Sequence, residues 1–155
     1  MAEDTVDAPK RAIVTIEQRL GKVVIPELDE SDYLGLGKQS STRADLMLFA
    51  FALGWAHGLS APTQKPFGGG LARTESFSEK LNTLIKTVHL DSLGIDHIDG
   101  LADHGEALSL FESYVNGGLG LIEGEIEEKV STEERANTIV AELDRRYKEL
   151  FGRQS

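Results

Sequence analysis

The residues best equipped for chemistry crowd into one short stretch. His97, Asp99, Asp103, His104 and Glu106 fall within ten residues, and His89 lies slightly upstream. Imidazole and carboxylate side chains of this kind can ligate zinc or manganese, and a metal held there would make a hydrolase centred on His97 and His104. Helical metal motifs, however, place their ligands at i, i+3 or i, i+4 on a regular element, as in H-E-x-x-H. Gly100 and Gly105 interrupt any such element, and Asp99 and Asp103 share a helical face only if Gly100 is helical. The stretch therefore reads as a turn-rich connector of solvated carboxylates and surface histidines, and no metal or other cofactor is assigned.

Other motifs fare no better. The triple glycine Gly68-Gly69-Gly70 invites comparison with phosphate-cradling loops, with Arg73 just beyond it. It matches neither G-x-x-x-x-G-K-S/T nor G-x-G-x-x-G, so a flexible loop is the plainer reading. No G-x-S-x-G elbow activates a serine, and no catalytic triad is assigned. Two basic groupings stand at the chain ends: Lys10, Arg11, Arg19 and Lys22, then Arg145, Arg146, Lys148 and Arg153. If the ends converge they form a modest positive patch, although solvated helix faces are the plainer reading.

The elements that must position these residues are set by composition first. The 155 residues suit one domain, with 40% hydrophobic and 27% charged residues, as in a soluble globular protein. Cysteine is absent, which excludes disulfides, thiolate catalysis and cysteine-ligated zinc. The acidic N-terminus lacks the apolar core of a secretory signal, so a cytoplasmic address is the default.

The net charge of −10 is unevenly placed. Residues 74–128 carry 12 acids against Lys80 and Lys86, so this one segment holds the whole excess. Such a segment should repel DNA; its plainest reading is a solubilising acidic surface, ahead of a docking face for a basic protein partner and, last, a metal site. Glu123, Glu125, Glu127 and Glu128 form its densest run.

Periodicity predicts a mainly α protein: a compact helical domain around a buried central helix at about 42–57. Residues 1–10 read as a disordered lead-in, and 11–155 as a single helical domain. For residues 11–28 the β-branched clusters Ile13-Val14 and Val23-Val24-Ile25 suggest a short N-terminal hairpin or extended arm, while Ile13, Ile16 and Leu20 also fit a helix. Residues 29–41 read as a loop.

Thr42 and Asp45 fit a capping box. The uncharged run Leu46–Ala56 that follows is too short to span a bilayer and suits a helix covered on nearly every side, ending near Gly58. Phe49 and Trp55 then belong to the core; were the run only partly covered within one chain, it would instead form a homodimer interface. His57 stands at the C-terminal end of this helix, where it suits the terminal carbonyls.

Beyond the glycine-rich loop a helix start is expected at Ser76-x-x-Glu79, with Phe77, Leu81, Leu84, Ile85 and Val88 on one face. A further helix from about Glu106 to Val115 is expected to stop at Asn116-Gly117-Gly118, with another resuming after it. The last helix, 131–151, starts at a Ser131-x-x-Glu134 box and carries an amphipathic stripe of Ala136, Ile139, Val140, Leu143, Tyr147, Leu150 and Phe151.

Two blocks together resemble a known family. The first comprises Asp45, Phe49, Ala50, Ala52, Leu53, Gly54 and Trp55; the second comprises Phe111, Glu112, Tyr114, Asn116, Gly117, Gly118 and Leu119. In this order they look like the small accessory proteins encoded beside Dnd-type DNA phosphorothioation and other bacterial defence genes. The resemblance spans about residues 42–125 and leaves the last helix beyond the pattern. It implies a setting, bacterial anti-phage DNA modification or restriction, and carries no active-site residue across.

The expected function is accordingly a non-enzymatic adaptor or regulator in a defence complex. Glu123, Glu125, Glu127 and Glu128 would contact protein subunits, and the C-terminal helix with Arg145 and Arg146 would make a second contact. DNA contact would be indirect and no membrane is involved. The competing classes are a DNA-binding regulator using the basic ends and the metal-dependent hydrolase.

Overall fold

The computed structural model describes residues 13–33, 42–94 and 104–152. A two-residue strand, β1 (Ile13–Val14), leads into helix α1 (Gln18–Glu30), followed by helix α2 (Arg43–Ala56). A second strand, β2 (Ala72–Arg73), and a 3-10 turn at Thr74–Ser76 precede helices α3 (Glu79–Leu93), α4 (His104–Glu127) and α5 (Thr132–Phe151). The mainly helical class is as expected, and α4 packs against α1, α2 and α3. The proposed lead-in at 1–10 and most of the expected 29–41 loop lie outside the described residues.

The short antiparallel pair is present, but its second strand comes from elsewhere. Ile13 pairs with Arg73 and Val14 with Ala72, and the N–H groups of Leu71 and Phe67 donate to the carbonyls of Val14 and Ile16 at 2.8 and 2.9 Å. Val23-Val24-Ile25 is helical instead. Leu20, Val24, Ile25 and Leu28 are buried while Val23 faces solvent, a spacing only a helix produces. Burial against the rest of the core outweighs the modest β preference of these side chains, and α1 even accommodates Pro26.

Gly70 explains the triple glycine. With φ at +70°, a Cβ there would sit 2.0 Å from Ile13 Cγ2. The loop is therefore a fitted turn laid along β1, where only glycine allows that approach.

Helix α2 starts at the expected capping box. The Asp45 N–H donates to Thr42 Oγ1 at 3.2 Å, and Asp45 Oδ2 accepts from the Thr42 N–H at 2.8 Å. These bonds hold the Asp45 carboxyl below its ordinary pKa. The helix buries Leu46, Met47, Ala50, Phe51 and Gly54. It is not covered all round, because Leu48 and Trp55 remain about 40% exposed. Helix α3 buries Leu81, Ile85 and Val88 as expected, with Phe77 buried just ahead of it and Leu84 half-buried, but its cap is Ser78, whose hydroxyl accepts from the Leu81 N–H at 3.2 Å. Ser76 belongs to the preceding 3-10 turn.

The largest departure concerns Asn116-Gly117-Gly118. It does not end a helix: α4 runs unbroken through it. A Cβ on Gly118 would lie 1.7 Å from the Ala50 carbonyl oxygen, and one on Gly54 would lie 2.0 Å from that of Tyr114. The glycines let α2 and α4 cross with their backbones in contact, and that gain offsets their cost in helix propensity, about 1 kcal/mol each. Phe51 stacks on Phe111 at 4.9 Å beside this crossing, and Trp55 meets Tyr114 edge-on at 5.1 Å.

Candidate functional site

The polar residues drawn into the core bind the chain itself. Glu112 and Asn116 lie one turn apart on α4, both buried. Glu112 Oε1 accepts from the Thr15 N–H at 2.8 Å, and Asn116 Oδ1 accepts from the Glu17 N–H at 2.9 Å. Asn116 Nδ2 donates to the Ala61 carbonyl at 2.9 Å and to Thr63 Oγ1 at 3.0 Å. Glu17 extends the lattice by accepting from the N–H groups of Gln64 and Lys65, which hold its carboxyl below its ordinary pKa. The two side chains thus satisfy backbone groups of the segment after β1 and of the loop after α2, which burial would otherwise leave unpaired.

A second cluster roots α5. Ser131 and Glu134 form the expected capping box. One residue on, Arg135 is buried and stacks over the Tyr33 ring at 3.5 Å. Its Nε donates to Glu125 Oε2 at 2.6 Å and its Nη1 to the Tyr33 carbonyl at 3.1 Å. The Tyr33 hydroxyl donates to the same Glu125 oxygen at 2.5 Å. Burial first, then the adjoining carboxylate, pushes the Tyr33 phenol well above its usual pKa. Arg135 and Tyr33 were not among the sequence candidates. The visible signal was an arginine in the first turn of the last amphipathic helix, one residue past its capping glutamate.

Beyond this root α5 leans away from the body, meeting it again where Glu142 Oε2 lies 4.0 Å from Nε2 of His57 at the end of α2. A groove of about 380 Å³ lies between it and α2 and α4, bordered by Phe49, Leu53, Gly124 and Ile139. The outer side of α5 is apolar and open: Val140, Leu143, Tyr147 and Phe151 are each more than 60% exposed. The stripe expected from the sequence is real, yet nothing described in the chain covers it.

The sequence-derived candidates divide accordingly. Glu123 is paired with Arg19 and Glu125 with Arg135, while Glu127 and Glu128 are exposed at the end of α4. Arg145 is held within α5 by Glu149 at 2.7 Å and Glu142 at 3.8 Å. Arg146 also lies on α5, and Lys10, Arg11 and Arg153 lie outside the described residues. So do His97, Asp99 and Asp103. His104 and Glu106 open α4, with Glu106 Oε2 3.7 Å from Nε2 of the buried His89. Among the described residues no three His, Asp or Glu side chains converge as a metal site, and no helix is long and apolar enough to cross a membrane.

The model of one protein family, DNA sulphur modification system-associated protein 4 (Dnd system), matches residues 35–150. The match covers most of the chain, which therefore belongs to this family. It also reaches through nearly all of α5, so that helix is part of the family pattern and not an extension beyond it. No curated protein and no solved structure matches the chain.

Proposed function

We propose that this member of the Dnd-associated family is a non-enzymatic, cytoplasmic adaptor in a bacterial anti-phage modification system, acting through contacts with the system's protein subunits. The observation that carries the reading is apolar surface left open on two helices: Leu48 and Trp55 on α2, and Val140, Leu143, Tyr147 and Phe151 on α5. Exposed apolar clusters rimmed by polar residues mark association faces, and aromatic residues are enriched in such interfaces. The side chains that could have served chemistry support the same reading, because Glu112, Asn116 and Arg135 are all engaged with the chain's own backbone. DNA contact is indirect on this view. Of the basic candidates among the described residues, Arg19, Arg145 and Lys148 are already in ion pairs, and a net charge of −10 opposes phosphate binding.

Affinity purification of the tagged chain from a host expressing its neighbouring sulphur-modification genes tests this. The wild type should recover subunits of that system, and a Leu48→Lys/Trp55→Lys variant should recover several-fold less. Recovery of those subunits at the wild-type level by the Leu48→Lys/Trp55→Lys variant would overturn the reading.

A further inference from the structure

We infer that α5 is a self-association element: two copies of the chain pair through the outer faces of their α5 helices, antiparallel, about a two-fold axis between Val140 and Leu143. This rests on the reading of α5 as an association face and names what occupies it.

The spacing carries the first part of the argument. Ala136, Val140, Leu143 and Tyr147 follow one another at intervals of four, three and four residues, and all four are exposed. That is the a/d spacing of a two-helix seam, narrower than the apolar face of a helix packed on a globular core. The body-facing side of α5 is a different one, carrying Arg135, Thr138, Ile139 and Glu142, so the seam is free while the helix stays rooted.

Size and charge select a second copy as the occupant. In an antiparallel pair an a position faces a d position, so Val140 meets Leu143 of the other copy and Ala136 meets Tyr147. The smallest seam residue then lies opposite the largest, which is how facing layers fill evenly. A two-fold axis makes each contact occur twice. The charges agree in direction. With Arg135 and Glu142 turned to the body, the first half of α5 offers Glu133 and Glu134, whereas residues 143–152 hold Arg145, Arg146 and Lys148 against Asp144 and Glu149. Antiparallel pairing sets the acidic half beside the basic half, and opposes the two helix dipoles favourably. Parallel pairing would stack acid on acid.

Sedimentation equilibrium of the purified full chain, alone, reads the outcome. The wild type should approach twice the mass of the 16.9 kDa chain as concentration rises. Leu143→Asp should raise the dissociation constant about 100-fold or more, with an unchanged helical circular-dichroism spectrum. Ala136→Tyr should weaken pairing by crowding Tyr147 of the other copy, and adding Tyr147→Ala in the same chain should restore it. A wild type that stays monomeric overturns the proposal. So does a dimer indifferent to Leu143→Asp, or a double variant that is not restored. Subunit recovery from the host is a separate measurement, so failure here is distinguishable from failure of the adaptor reading.

Discussion

Along α4, Gly118 meets α2 at backbone contact, whereas Gly124 lies toward α5 beside an open groove. A Cβ on Gly118 has the Ala50 carbonyl 1.7 Å away, and one on Gly124 has nothing within 4 Å. One helix thus has two kinds of neighbour. The crossing with α2 is closed by glycines, stacked aromatics and the Glu112–Asn116 latch. The approach of α5 is rooted at one end by Arg135, touches the end of α2 again where Glu142 Oε2 lies 4.0 Å from His57 Nε2, and otherwise leaves a groove open. Stability is concentrated at the first, and the second leaves an apolar surface free for other chains.

Substitutions can break this contrast, the strongest at the crossing. Gly118→Ala should force α2 and α4 apart and cost at least ~3 kcal/mol in denaturant unfolding, near the upper range for overpacking. A variant as stable as wild type would mean the crossing is not backbone-tight. Arg135→Ala comes next. It removes the cation from between Tyr33 and Glu125, and should cost about 1–3 kcal/mol, confined to α5. Hydrogen exchange should show α5 amides opening more readily while α2 and α4 keep their protection. Equal loss of protection in all three helices would show that α5 is integral to the core. Gly124→Ala should have the smallest effect and the opposite sign, stabilising by about 0.5–1 kcal/mol because an interior helical glycine gains a side chain with room to spare. Destabilisation there would mean that α5 closes the groove in solution.

Much of the fold was legible from residues within a turn of one another. The capping boxes at Thr42 and Ser131 and the buried face of α3 were visible because the partners lie three or four residues apart. The second block of the family pattern was legible as a pattern but not as a device: Asn116 and the glycines after it resemble a helix stop until α2 is seen lying across them. The acidic run was equally ambiguous. Glu123 and Glu127 look alike in the sequence, yet Glu123 is paired with Arg19 while Glu127 remains exposed. Arg19 lies more than a hundred residues away in the chain, and no local pattern announces the pairing.

The sequence by itself determined where most helices begin and where apolar residues recur along them. Those properties follow from hydrogen bonds and periodicities that close within a few residues. Only the tertiary structure decided that residues 18–30 are helical, that glycines bring two backbones into contact, and that the stripe of α3 is covered while that of α5 is bare. Whether an apolar face is core or interface depends on what the chain places opposite it, and that is settled by packing between segments far apart in sequence.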